Sequence, residues 1–152
     1  MNKLITLILL SSITHTAFGF TTISIIGPCQ DKVLYTKDYD EFPSDWTVGD
    51  ISLDFYTELN INYQGTREGI QQLINIPSKE NELIILSNKE MLAYGWCYQI
   101  NGEVPEEYPH KIPTLPGDQI VWFFAYSRYL EGKWVSQCEP SFRSPRPEFC
   151  EL

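Results

Sequence analysis

The chain has 152 residues, 43% of them apolar and 20% charged, enough for one domain with a real core. Its formal net charge of −9 argues against nucleic acid and anionic lipid as partners, since both attract a basic surface. The acidity reads as solubility.

Residues 1–19 read as a secretory signal: Lys3 supplies the positive start, Leu4 to Leu10 the apolar core, and Ala17 and Gly19 the small residues before a cut at Phe20. That core is too short to span a bilayer, and no later segment reaches the roughly 20 apolar residues of a membrane helix. Cys29 lies too far downstream for lipid attachment at the cut. A secreted or periplasmic protein without a membrane span is expected.

Residues 21–26, TTISII, are rich in β-branched side chains and predict a first strand, ended by Gly27-Pro28. Residues 32–36 read as its hairpin partner, and DYDEFPSDW over 38–46 as an acidic solvated loop. Those carboxylates match no EF-hand spacing. Thr47 with Asp50 three residues on is a capping-box signal with Asp in place of Glu. Val48, Ile51, Phe55 and Leu59 then recur at spacings of three and four, predicting a short helix with one buried stripe. Residues 66–75 fit a second, weaker helix through Ile70, Leu73 and Ile74, against which Gly69 stands. Pro77 ends that segment.

Residues 82–87 and 91–100 are strand-like runs joined by a turn at SNKE. Asn101-Gly102 supplies the positive φ angles of a tight turn. Residues 104–116 hold four prolines, which excludes a central strand. Gly117-Asp118 turns the chain again, residues 119–130 form a long strand, and Glu131-Gly132 closes a hairpin onto 133–138. The remainder, ending in EPSFRSPRPEFC and two residues more, is Pro-rich and irregular.

Strand alternation puts Trp96, Tyr98 and Ile100 on one face, with Cys97 and Gln99 on the other. In the long strand Ile120, Trp122, Phe124 and Tyr126 share a face, and Val121, Phe123 and Ala125 share the opposite one. A strand apolar on both faces is normally covered on both. Either the Pro-rich tail and loops cover the side that the helix leaves open, or an aromatic surface is left for a partner.

The four cysteines, Cys29, Cys97, Cys138 and Cys150, read as two disulfides in an exported chain. No two stand two to four residues apart, as a zinc site asks, and His110 sits between prolines and lysine far from any of them. No metal and no cofactor is expected.

Residues 47–138 resemble the transcobalamin-like carboxy-terminal domain family, through TVGDI at a helix start, GWCYQINGE, and GDQIVWFFAY. The resemblance implies a β-grasp-like mixed sheet packed on one main helix, an α+β fold. In transcobalamin-like proteins this domain helps to enclose a corrinoid beside a large helical domain, which has no counterpart in these residues. The implied organisation is a signal over 1–19, a β-grasp-like domain over 20–138, and a tail over 139–152 closed by a disulfide. Cys97 and Cys138 belong to the part that resembles the family, Cys29 and Cys150 to the two ends. Pairing like with like gives Cys97–Cys138 and Cys29–Cys150, with Cys138–Cys150 as the main rival.

Catalytic apparatus is not legible. Paired cysteines leave no thiolate nucleophile, and a serine would have only His110 as its base. Glu103 with Asp118 forms a carboxylate pair that turn chemistry explains equally well. The expectation is a non-catalytic binding module. Its candidate ligand-binding residues are Trp96, Tyr98, Trp122, Phe124 and Tyr126, with Trp134 in the same aromatic set, and its partner is a small ligand or a protein. Burial in the core is the competing reading of each aromatic. The alternative function is a structural accessory or inhibitor-like protein acting through disulfide-tied loops, and a tail clamped over the aromatic face would favour it.

Overall fold

The computed structural model describes residues 19–76 and 82–150; the signal segment up to residue 18 and Pro77 lie outside them. Eight strands and one helix follow in the order β1 (Thr21–Ile26), β2 (Val33–Tyr39), α1 (Val48–Glu58), β3 (Tyr63–Thr66), β4 (Gly69–Leu73), β5 (Leu83–Ser87), β6 (Glu90–Ile100), β7 (Gln119–Leu130) and β8 (Lys133–Pro140). The main sheet runs β2-β1-β7-β6-β5. β1 is parallel to β7, and β8 extends the same edge of β7 beyond the end of β1. A hairpin, a helix, and a later strand laid parallel to β1 make the mixed sheet β-grasp-like.

Local chemistry explains most of the elements. The Thr47 hydroxyl accepts from the Asp50 N–H at 3.3 Å, and the Asp50 carboxylate accepts from the Thr47 N–H at 3.0 Å. This reciprocal cap starts α1 where the sequence places it. Val48, Ile51 and Phe55 are fully buried. Leu59, expected as the fourth residue of the stripe, is instead the C-cap and 39% exposed, because the helix ends one residue before it. Gly49 admits the close approach of the β3–β4 turn: a Cβ there would overlap the Arg67 carbonyl.

The second predicted helix is the β3–β4 hairpin. Gly65 pairs with Ile70 and Gln64 with Gln72, so Gln71 is an extra residue in β4. A bulge resets the alternation of a strand. It lets Ile70 and Leu73, three apart, both turn inward, and this spacing imitates a helical face. β2 also runs further than expected, taking Asp38 and Tyr39 out of the acidic loop. Thr22 donates to Asp38 at 2.7 Å across the β1–β2 pair, and the buried Tyr39 donates to Asp54 of α1 at 2.7 Å.

The core lies between α1 and the sheet face bearing Ile23, Ile25, Tyr94, Trp96, Tyr98, Ile120, Trp122 and Phe124. The Trp122 indole N–H donates to Ser52 at 2.8 Å, and Ser52 donates to the Val48 carbonyl at 2.6 Å. The helix is thereby tied to the central strand. Disulfides join Cys29–Cys150 and Cys97–Cys138, with Cα separations of 5.6 and 5.9 Å. The first fixes the tail, whose Phe149 packs on Tyr94 and Phe124 with ring centroids 4.8 and 4.9 Å apart. The chain that follows β8 therefore completes the core.

Candidate functional site

β6 pairs with β7 along its whole length, from Glu90↔Leu130 to Ile100↔Ile120. Its other edge is only partly paired. β5 reaches Ala93, and the Tyr94 N–H donates to the Glu82 carbonyl at 2.6 Å. At the far end Ile100 and Glu103 exchange backbone bonds of 2.9 and 3.0 Å across the Asn101-Gly102 turn. That turn has φ angles of 53° and 86°, the mirror-image type that the dipeptide favours. Between these ends, no described strand pairs with residues 95–99 on this side. Alternation carries the Tyr94 and Ile100 pattern to Trp96 and Tyr98, so their N–H and C=O groups point out of this edge.

Along this stretch runs a groove of about 500 Å³. One wall is Thr66 and residues 68–71 of the β3–β4 hairpin, and the other is residues 104–109. Trp96, Tyr98 and Trp122 line its base, with the half-cystines Cys97 and Cys138. The Tyr98 hydroxyl donates to the Glu107 carbonyl at 2.5 Å and so pins the Pro-rich wall to the sheet. Burial, with the nearby Glu107 charge, pushes the Tyr98 hydroxyl up to about 12. Val104 and Tyr108 stand at the lip, 46% and 63% exposed. Glu68, Glu106 and Glu107 make the lining acidic, and it has no lysine, arginine or histidine among the described residues. Among the described residues only Glu107 of the three has an ion-pair partner, Lys111 at 3.0 Å.

The five aromatics predicted as a ligand-binding face are packed inside. Trp96, Tyr98, Trp122 and Phe124 are buried and Tyr126 is half-buried. The Trp96 indole N–H is already used, donating to the Ile76 carbonyl at 2.6 Å. Helix α1 covers the Trp122 end of this face, and Phe149 covers the Phe124 end. Only Trp96, Tyr98 and Trp122 reach the groove. Trp134 lies elsewhere, exposed and edge-on to Tyr129 with ring centroids 5.3 Å apart. It ends a cross-strand row, Ile85, Met91, Tyr129 and Trp134, on the outer part of the β5–β8 meander.

No protein-family model, curated protein or solved structure matches this chain. The site therefore rests on its own geometry. His110 stacks on Tyr108 with ring centroids 6.0 Å apart, and its buried Nδ1 has no hydrogen-bond partner among the described residues. All four cysteines are paired. Asp118, suggested beside Glu103 as a carboxylate pair, accepts from the Leu115 N–H at 2.8 Å and from the Asn101 amide at 2.9 Å. It is occupied in holding two turns. Among the described residues no group of three or more His, Cys, Asp or Glu is placed to hold a metal, and no helix is long and apolar enough to cross a membrane.

Glu68, Glu106 and Glu107 were not among the expected site residues, because nothing in the sequence brings residue 68 beside residues 106–107.

Proposed function

We propose that this protein is an exported, non-catalytic binding module that holds its ligand in the groove beside β6. The observation that carries the reading is the groove between the β3–β4 hairpin and residues 104–109, with Trp96, Tyr98 and Trp122 at its base and the carboxylates of Glu68 and Glu106 at its rim, which have no ion-pair partner among the described residues. A site with an apolar base and a few convergent polar groups is the usual form of a binding pocket. The negative rim disfavours anionic ligands. The resemblance to the transcobalamin-like carboxy-terminal domain family is part of the proposal, and concerns common descent of the fold rather than corrinoid binding.

A second reading, a structural accessory or inhibitor-like protein, draws support from the tail. Phe149 and the Cys29–Cys150 bridge hold residues 141–150 against the sheet as a disulfide-tied surface. The two readings place the partner on different residues.

Amide-resonance mapping of the oxidised protein separates them. The probes are neutral disaccharides, cyanocobalamin and short synthetic peptides. Shifts confined to residues 66–71, 95–99 and 104–109 are expected for at least one probe. Shifts confined to the tail, or to the Ile85–Trp134 row, would overturn the groove as the site. So would the absence of any response to the whole set.

A further inference from the structure

We propose that the row Ile85, Met91, Tyr129 and Trp134 is a contact surface for a second copy of this chain, joined face to face through the β5–β8 meander. The inference is independent of the groove. Three observations carry it.

The first is the row itself. Ile85 pairs with Met91, Met91 with Tyr129 and Tyr129 with Trp134, so four adjacent strands each contribute one side chain. Leu92, next to Met91, packs against the core. Alternation therefore puts the row on the face turned away from α1. Ile76 and Glu82, which flank residues 77–81, accept from the Trp96 indole N–H and the Tyr94 backbone N–H. Both contacts lie three or more residues along β6 from Met91, and Trp134 stands two strands further across. Every strand that sets the row is described at these residues.

The second is exposed apolar surface. Ile85 is 64% exposed and Trp134 44%, and Leu86 and Val135, their neighbours in the chain, are 51% and 45% exposed. The Trp134 ring is set edge-on to Tyr129 with centroids 5.3 Å apart. Together these side chains present roughly 500 Å², a size at which a patch on a monomer often has a function. Two copies would bury about twice that, the lower bound of a specific interface. A second apolar sheet face covers such a surface as the two sheets of a sandwich cover each other.

The third is self-complementarity. A twofold axis running along the strands, between the two faces, sets Ile85 against the partner's Trp134 and Met91 against the partner's Tyr129. The smaller side chain meets the larger in both cases, as an isologous contact allows. The same axis sets Lys89, in the β5–β6 turn, against the partner's Glu131, in the β7–β8 turn. Within one chain the two turns are already joined. The Glu131 N–H donates to the Lys89 carbonyl at 2.8 Å, and their side chains, each 66% exposed, lie 3.6 Å apart. The charges around the row are Lys89, Arg128 and Lys133 against Glu90 and Glu131, on a chain of net charge −9. Two copies therefore repel least at this end. A lipid surface would engage the row without using the match of Lys89 with Glu131, and the test separates the two.

The test is sedimentation of the oxidised protein over about 1–500 µM, where a monomer–dimer equilibrium with a Kd of about 10–100 µM is expected. Ile85→Glu and Trp134→Glu, both at exposed positions, should each weaken the dimer by about tenfold or more, with the urea midpoint followed as a check on folding. Lys89→Glu and Glu131→Lys form the second arm. Each breaks the ion pair within its own chain and puts like charges across the proposed contact. Mixing the two variants sets opposite charges at both copies of that contact, while the pair within each chain stays broken. The mixture should dimerise about tenfold more tightly than either variant alone, an effect that a purely structural role of the pair does not produce.

A protein that stays monomeric at the highest concentration overturns the proposal. So does a dimer that tolerates both glutamate substitutions in the row, or a mixture no tighter than its components. If the protein is monomeric but floats with phosphatidylcholine vesicles, and Trp134→Glu does not, the row is a lipid contact and the proposal fails.

Discussion

Replacing Phe149 by alanine tests whether the tail is part of the core. Phe149 is 3% exposed and lies against Tyr94 and Phe124 at 4.8 and 4.9 Å between ring centroids. Truncating a buried phenylalanine costs about 3–5 kcal/mol, with the lower end applying where the surroundings can settle into the space. The tail is held chiefly by the neighbouring Cys29–Cys150 bridge and can settle, so the expected loss is about 3 kcal/mol. Of this, the two aromatic contacts supply about 1–2 kcal/mol. For a domain of this size that corresponds to a fall in Tm of about 10 °C. The assay is urea denaturation of the oxidised protein followed by tryptophan fluorescence, with the slope of the transition unchanged. Glu148→Ala is the control: its carboxylate meets Arg146 at 2.6 Å at the surface, where solvent screens such a pair and its loss changes stability little. In a Cys29→Ser/Cys150→Ser background the Phe149→Ala loss should shrink, because the released tail no longer holds the ring in place. A Phe149→Ala loss below about 1 kcal/mol in the oxidised protein would refute the reasoning and make the tail an external strap.

Ser52→Ala should cost about 1–3 kcal/mol in the same assay, because it leaves the buried Trp122 indole N–H without its acceptor. Gly49→Ala should destabilise even though alanine is the better helix former by about 1 kcal/mol, because its Cβ would overlap the Arg67 carbonyl; a stabilised variant would show that the hairpin can move away. The Asp50 carboxyl is held below its ordinary value, first by the Thr47 hydroxyl, which donates to it at 2.6 Å. A depressed carboxyl stabilises the fold above the ordinary carboxylate range and loses that contribution as pH falls through the folded value. The stability difference between the unaltered protein and Asp50→Asn should therefore be largest near pH 6 and narrow toward pH 2; a constant difference across that range would count against the cap as a charged one. Peptide mapping without reduction should yield a fragment pair linked through Cys97 and Cys138 and another through Cys29 and Cys150, and a Cys138–Cys150 linkage would contradict the topology described.

The elements readable in the sequence are those whose cause is local. Thr47 and Asp50 cap a helix through atoms three residues apart, and Asn101-Gly102 turns the chain because those two residues tolerate positive φ. TTISII forms β1 at the expected residues, and the long apolar run 119–130 forms the central strand. The even number of cysteines points to two bridges, whereas their pairing came from the resemblance and not from the count. Elsewhere tertiary contacts decided. Ile70 and Leu73 repeat at three in both an α-helix and a bulged strand, and only the pairing of Gly65 with Ile70 around Gln71 separates the two. Trp96, Tyr98, Trp122 and Phe124 form an aromatic face in any strand reading. Whether that face is a surface or a core depends on where α1 and Phe149 settle, and Phe149 is brought there by a bridge spanning 121 residues. The groove lies furthest from the sequence. It exists because the β3–β4 hairpin and residues 104–109, far apart along the chain, come together beside Trp96, Tyr98 and Trp122, and no local pattern in either segment announces that meeting.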